Sequence, residues 1–197
     1  MGEGIKSALE IAMEKVEKLG EVTEEERLKW KYVPEGEKLA ARCLKQDINL
    51  IAEMGKYEEK AKRYVSKGAG DILIRNINLP RNGLAKRNNK KAMEGLKALK
   101  NDKVSVENIY SRIGHVFDHY AGQGEQQKKQ AYESLKAEFE VKVQQAMSQQ
   151  LGSFAGVKID VEKQPQFQDE WHKLWTQLDA QYIKLLDEYK QELSAIN

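Results

Sequence analysis

Residues 167–196 carry one continuous apolar stripe, which constrains the fold more than any other feature of the chain. Its apolar residues follow one another at steps of 4, 3, 4, 4, 3, 4, 4 and 3, which is an eleven-residue repeat. This repeat is close to the period of a straight α-helix, about 3.6 residues, so the pattern predicts a long amphipathic helix. The stripe consists of Phe167, Trp171, Leu174, Leu178, Tyr182, Leu185, Tyr189, Leu193 and Ile196.

The same 3/4 spacing recurs upstream and predicts an all-α bundle of long amphipathic helices. With 40% hydrophobic residues, 32% charged residues and 3 prolines, the composition is typical of a helical protein with much solvated surface. The last two long helices are expected to form a C-terminal antiparallel hairpin. The predicted helices cover 3–20, a short segment from Thr23 through Trp30, 35–67, 83–100, a segment capped by Ser105 that reaches Tyr120, 124–151 and 165–196.

Local signals fix the ends of these helices. Thr23 and Glu26 match a capping box, in which each side chain accepts a hydrogen bond from the other residue's backbone. Pro34 is expected to open the helix over 35–67, and Gly68-Ala69-Gly70 to end it. The remaining signals are a cap at Asn82, an interruption at Gly122 and Gly124, and Pro165 at the start of the last helix.

Two short segments read as extended and suggest one two-stranded β element. Residues 72–79 are β-branched, apolar and closed by a proline, and residues 157–161 alternate apolar and polar. We expect the two to pair. We also expect one domain over 1–197, which could divide into N-terminal helices with a basic segment, 1–103, and a long helical hairpin, 104–197.

Cys43 is the single cysteine, so the chain cannot form an internal disulfide or a metal site of several thiolates. No segment approaches about 18 uninterrupted apolar residues, and no signal peptide is evident. We therefore expect a cytoplasmic protein that does not bind membranes. The helical position of Cys43 points inward, where a thiol normally serves packing rather than catalysis.

His115 and His119 lie four residues apart and could share a metal on one helix face. Asp118 could join them as a ligand or orient one. However, at about 100° per residue the two histidines lie roughly 150° and 110° from the centre of the apolar face, so they point outward. Solvated histidines are the better interpretation, and no metal or other cofactor is expected.

Residues 75–103 form a basic segment with nine cationic and two acidic side chains, although the whole chain has a formal net charge of only +2. Lysine and arginine mixed with asparagine suit phosphate oxygens. Aromatic residues for base stacking and a helix-turn-helix pattern are lacking, so a solvated or protein-docking face is the alternative. The candidate polyanion-binding residues are Arg75, Arg81, Lys86, Arg87, Lys90 and Lys91.

The functional motifs that carry a clear mechanism are missing, including GxSxG, Walker A, GxGxxG and HExxH. The sequence therefore favours a non-enzymatic helical interaction or scaffold protein, which presents a helical surface to a protein partner or to a second copy of itself. Aromatic residues of the last helix could belong to such an interface or to the core. Nucleic-acid or polyanion binding by residues 75–103 remains an alternative, and metal-dependent activity at His115 and His119 a second one.

Overall fold

The chain folds into α-helices, as its periodicity predicts. The structure, a computed structural model, describes residues 23–46, 48–151 and 160–196. Of these residues 87% are helical and none forms a strand, which confirms the all-α class. They fall into two compact units, whose boundary lies between Leu73 and Ile74. The helix predicted over 3–20 lies outside the described residues.

The first unit contains α1 (Glu24–Lys45), α2 (Leu50–Met54) and most of α3 (Glu59–Arg75). The predicted capping box is confirmed at Thr23 and Glu26. The single helix predicted over 35–67 is wrong, because the chain leaves the helix after Lys45 and starts again at Leu50. Pro34 does not open a helix but lies inside α1, which is fixed at its start by the capping box and in the middle by buried Gly36, Leu39 and Ala40.

Glycines in α1 and α3 allow these two helices to touch backbone to backbone. A Cβ atom on Gly36 would lie 2.0 Å from the Val65 carbonyl oxygen, and one on Gly68 would lie 2.1 Å from that of Val33. Side chains of any size are excluded at such distances. The prediction that Gly68-Ala69-Gly70 ends the helix is therefore wrong: these residues lie within α3 and serve its packing against α1.

The predicted β element is also wrong. Residues 72–75 are the last turn of α3, and residues 77–80 form neither a helix nor a strand. The backbone of Asn78 is paired by a side chain rather than by a strand, since its N–H donates to Asn89 Oδ1 at 2.9 Å and its carbonyl accepts from Asn89 Nδ2 at 2.6 Å. Of the proposed partner strand, residues 157–159 lie outside the described residues and Val161 opens a 3₁₀ turn.

In the second unit, α4 (Gly83–Leu99) and α5 (Lys103–His119) pack together. Asn82 caps α4 as predicted, accepting from the Ala85 amide at 2.8 Å. The cap of α5 is Asp102 instead of Ser105, because the Asp102 carboxylate accepts both the amide and the hydroxyl of Ser105. The helix therefore starts three residues earlier than the sequence suggested.

A π turn, Tyr120–Gly124, joins α5 to α6 (Glu125–Leu151) at the predicted interruption. A 3₁₀ turn, Val161–Lys163, precedes α7 (Pro165–Ala195), with Pro165 in its first turn as predicted. Helices α6 and α7 form the predicted antiparallel hairpin, as aromatic pairs from Tyr132 to Trp171 and from Phe139 to Phe167 show. None of the helices within the described residues combines the length and the hydropathy that a membrane-spanning helix needs.

Candidate functional site

The apolar stripe of α7 is only partly used by the packing of its own unit. Leu186 and Leu193 are buried, with 2% and 0% of their surfaces exposed, whereas Leu185 keeps 37% of its surface exposed. Leu178 and Leu185 lie on the predicted stripe, and Asp179 and Leu186 follow each of them by one residue, about 100° further round the helix. Here the core therefore uses the row of Asp179 and Leu186, which flanks one edge of the stripe, and leaves the other edge of the stripe accessible.

This accessible edge lines a groove of about 860 Å³ between α5 and α7, which we call the α5–α7 groove. Leucines of α7 and Val116 of α5 supply its apolar surface, and amide, imidazole, phenol and guanidinium groups surround it. The residues that line it are Arg112, His115, Val116, His119, Gln127, Leu174, Gln177, Leu178, Gln181, Tyr182, Leu185 and Tyr189.

Polar contacts across the groove hold α5 against α7. Arg112 forms an ion pair with Glu192, and its guanidinium carbon lies 4.6 Å from the centroid of the Tyr189 ring. His119 Nδ1 lies 2.8 Å from the Tyr182 hydroxyl oxygen, and which of the two donates depends on the imidazole tautomer. Among the described residues that line the groove, Arg112 is the one that carries a permanent charge. Glu192 balances this charge within the chain.

Directly beside the groove lies a charge cluster of Arg81, Tyr120, Lys128 and Asp179, in which Arg81 is half exposed and the other three residues are buried. Lys128 Nζ is 2.9 Å from Asp179 Oδ1 and donates to the Tyr120 hydroxyl at 2.5 Å. Arg81 reaches the other carboxylate oxygen of Asp179 at 2.7 Å. Asp179 Oδ1 is buried and no donor of the described residues is aligned with it for a hydrogen bond, so its contact with Lys128 is electrostatic.

The environment of this cluster keeps Lys128 charged. Burial alone would lower the pKa of Lys128, but its hydrogen bonds to Tyr120 and Glu125 and its close contact with the Asp179 carboxylate outweigh burial and raise the pKa above its ordinary value. Burial likewise raises the pKa of Tyr182, although the charge of Lys128 opposes this effect. Lys128 is thus a fixed cation, and Tyr182 a neutral phenol that can exchange a hydrogen bond with His119.

The π turn places these groups next to one another. Tyr120 is 1% exposed, and its ring packs edge-on against Tyr182 with the centroids 5.1 Å apart. A Cβ atom on Gly124 would lie 3.1 Å from the Tyr182 hydroxyl oxygen, so a glycine lets the turn approach α7. Because π turns within α-helices often occur at functional sites, the position of this turn supports the α5–α7 groove as the candidate site.

The two candidate metal ligands, His115 and His119, both line the α5–α7 groove. Asp118 lines a different groove, between α4 and α5. Within the part of the chain that the structure describes, no group of three His, Cys, Asp or Glu side chains is placed to hold a metal ion.

The candidate polyanion-binding residues do not form one uniform surface. Arg81 is drawn into the charge cluster by Asp179, and Lys91 is half-buried and takes part in a further interaction. Lys90 lies 3.9 Å from Glu94. Arg75, Lys86 and Arg87 are exposed. Lys86, Lys90 and Lys97 border a second groove of about 550 Å³ between α4 and α5, together with the carboxylates Glu94, Glu107 and Asp118.

Sequence reasoning did not identify Lys128 and Asp179, because charged residues in amphipathic helices are normally solvated. One signal was present for Asp179. It lies between Trp175 and Leu186 on a second apolar row that flanks the main stripe. A carboxylate in such a row indicates a buried polar contact, although the sequence does not name its partner.

The comparisons identify a family. The profile of a family of unknown function, DUF6657, matches residues 51–195, a region that contains every named residue of the groove and of the charge cluster. The chain therefore belongs to this family. Comparisons with curated proteins and with solved structures return no match.

Proposed function

We propose that this chain is a non-enzymatic, cytoplasmic interaction protein, and that its α5–α7 groove receives an apolar helix of a protein partner. The observation that carries this proposal is the divided use of the apolar face of α7, which consists of the stripe and the row that flanks it. Leu186 and Leu193 are committed to the core, whereas Leu174, Leu178 and Leu185 border the groove and Leu185 is 37% exposed. Apolar surface that a chain leaves open next to polar side chains is typical of an interaction site.

The dimensions of the groove favour a helix as its occupant. Its α7 wall extends from Leu174 to Tyr189, which corresponds to roughly 22 Å at about 1.5 Å per residue. Such a length matches about four turns of a helix that inserts residues spaced by three and four positions. The volume of the groove also suits a small molecule, since small-molecule pockets measure about 300–1,000 Å³. Cross-linking distinguishes a helical occupant from a small molecule.

Photo-cross-linking in the producing cell tests this proposal. A photo-reactive phenylalanine analogue would replace Gln177, which is exposed at the groove, and as a matched control Gln130, which is exposed on α6 outside it. We expect only the Gln177 position to capture a polypeptide, and peptide mapping should place the attachment within a segment with helical apolar spacing. Equal capture at both positions, or no captured polypeptide at Gln177, would argue for a small molecule or for an unoccupied groove.

Polyanion binding stays the alternative because Lys86, Arg87 and Lys90 are exposed on α4, whose first turn has no acidic residue. Phosphate oxygens could approach this end of the helix. An argument against polyanion binding is that three carboxylates border the second groove, between α4 and α5, together with Lys86 and Lys90. The salt dependence of nucleic-acid binding distinguishes this alternative.

A further inference from the structure

We infer that the occupant of the α5–α7 groove is a second copy of this chain, with the two α7 helices antiparallel about a two-fold axis near Gln181 and Tyr182. This inference rests on the proposed function and specifies the partner. Symmetric dimers are the commonest oligomers, and their interfaces use the same surface patch on both subunits. The patch must therefore be complementary to itself, both in its apolar pattern and in its polar groups.

The apolar pattern of α7 meets this requirement. Leu178 and Leu185 lie equally far along the chain from the point between Gln181 and Tyr182, and so do Leu174 and Tyr189. An antiparallel partner centred on this point would set Leu178 of one protomer against Leu185 of the other. Leu174 would likewise meet Tyr189, so the apolar residues that line the groove would find apolar counterparts.

The polar groups of the groove are also compatible with a surface that is complementary to itself. Close to a two-fold axis a side chain faces its own copy, so a charged residue there would face a like charge. Gln181 is exposed at this point of the groove, and an amide both donates and accepts hydrogen bonds. Among the described residues that line the groove no lysine and no carboxylate occurs, and Arg112 is already paired with Glu192. The surface therefore does not need a partner of opposite charge.

Gln181 offers a direct test, because it is exposed and its replacement leaves the packing within the protomer intact. We expect light scattering to show a dimer for the full-length wild type and a monomer for both Gln181→Lys and Gln181→Glu. An equimolar mixture of the two variants should recover the dimer, since opposite charges then meet at the axis. Gln168→Lys, an exposed substitution on the same helix, is the matched control and should stay dimeric.

Disulfide trapping tests the antiparallel register in a chain that also carries Cys43→Ser. Two Gln181→Cys protomers would bring their cysteines together at the axis and should cross-link under mild oxidation. Two Gln168→Cys protomers would hold theirs roughly 40 Å apart along the helices, at about 1.5 Å per residue, and should not. Equal cross-linking at both positions would refute this register.

A wild type that stays monomeric at about a hundred micromolar, or an equimolar mixture of Gln181→Lys and Gln181→Glu that stays monomeric, would overturn the inference. A dimer with a dissociation constant tighter than about a hundred micromolar would then be excluded. The proposed function would survive that result if the photo-reactive residue at position 177 still captured a helix of another protein. If the photo-reactive residue captured no polypeptide either, both the inferred dimer and the proposed function would be wrong.

Discussion

At the residue scale, the Lys128–Asp179 ion pair is expected to have a large effect on stability. Asp179→Asn would leave the Lys128 ammonium, whose side chain is 8% exposed, without its main counter-charge. Breaking a buried pair from one side typically costs about 3–5 kcal/mol of unfolding free energy. Urea denaturation followed by circular dichroism would measure the loss.

Glu170→Gln provides the control for this prediction. It removes an exposed pair with Lys173 on the same helix, and because solvent screens such a pair, the loss of stability should be much smaller than for Asp179→Asn. Equal losses for Asp179→Asn and Glu170→Gln would show that burial does not strengthen the Lys128–Asp179 interaction.

Tyr110 should make the protein less stable at alkaline pH. Burial raises the pKa of Tyr110 above its ordinary value of 10.0, and its hydroxyl donates to the Met93 carbonyl at 2.7 Å. The unfolded chain can then lose this proton at a pH where the folded chain still holds it, so stability should fall as the pH rises above about 10. Tyr110→Phe should make this fall shallower and cost about 1 kcal/mol at neutral pH, as urea midpoints at several pH values would show.

The stability of Tyr110→Phe should still fall somewhat at alkaline pH, because the pKa of Tyr182 is also raised by burial. The hydrogen bonds of Lys128 act in the same direction: its pKa is raised, so its stabilising charge is kept at neutral pH and lost on strong alkalinisation. Identical pH slopes for the wild type and Tyr110→Phe would contradict the role given to Tyr110.

At the scale of elements, the close approach of α1 and α3 should depend on its glycines. Gly68→Ala would place a Cβ atom 2.1 Å from a backbone oxygen of α1, and two backbones cannot move apart as cheaply as a side chain can rotate. Overpacking of this kind typically costs about 1–3 kcal/mol, which thermal unfolding would detect.

Gly114→Ala is the matched control, since Gly114 lies inside α5 and a Cβ atom there meets nothing within 4 Å. It should raise stability by about 0.5–1 kcal/mol, because alanine loses less backbone entropy than glycine on helix formation. A stabilised Gly68→Ala variant would mean that α1 and α3 are not in direct backbone contact.

These elements show which parts of the fold the sequence can predict. Caps act within a few residues, so the pairs Thr23–Glu26 and Asn82–Ala85 could be recognised from the sequence alone. The role of Gly68 could not, because a glycine that ends a helix and one that admits a neighbouring backbone look alike without the neighbour. The strand predicted over 72–79 was wrong for the same reason, since the backbone of Asn78 is paired by the side chain of the distant residue Asn89.

At the scale of the whole molecule, the uneven charge distribution raises the alternative that the protein binds polyanions, and a nucleic-acid binding experiment tests it. We expect neither duplex DNA nor RNA to bind measurably, because Arg81 is engaged by Asp179 and carboxylates lie beside Lys86 and Lys90. Fluorescence anisotropy over a range of salt concentrations would show this. Charge reversal in the triple variant Lys86→Glu, Arg87→Glu and Lys90→Glu should leave the signal unchanged.

The opposite result has a distinct signature. If these cations met phosphates on duplex DNA, the logarithm of the affinity would fall with the logarithm of salt by about 0.9 per contact, and the triple variant would abolish binding. Such an outcome would move the functional surface from the α5–α7 groove to α4.

The candidate site could be predicted from the sequence only in part. The α7 stripe was visible because periodicity is a property of one segment. Which edge of the stripe faces the core depends on where α5 and α6 lie, and their positions leave Leu185 of the stripe exposed while the neighbouring Leu186 is buried. His115 and His119 were correctly placed on the polar side of α5, but their position at the groove required the neighbouring helix.

The π turn sets a limit on how this chain can vary over evolution. Such a turn holds one residue more than a turn of regular α-helix, so deleting one residue from Tyr120–Gly124 would restore a continuous helix. Every residue of α6 would then rotate by about 100° relative to α5, and Lys128 would leave Asp179. Exposed Ala121 and Gln123 can therefore change in identity, whereas the number of residues between α5 and α6 cannot.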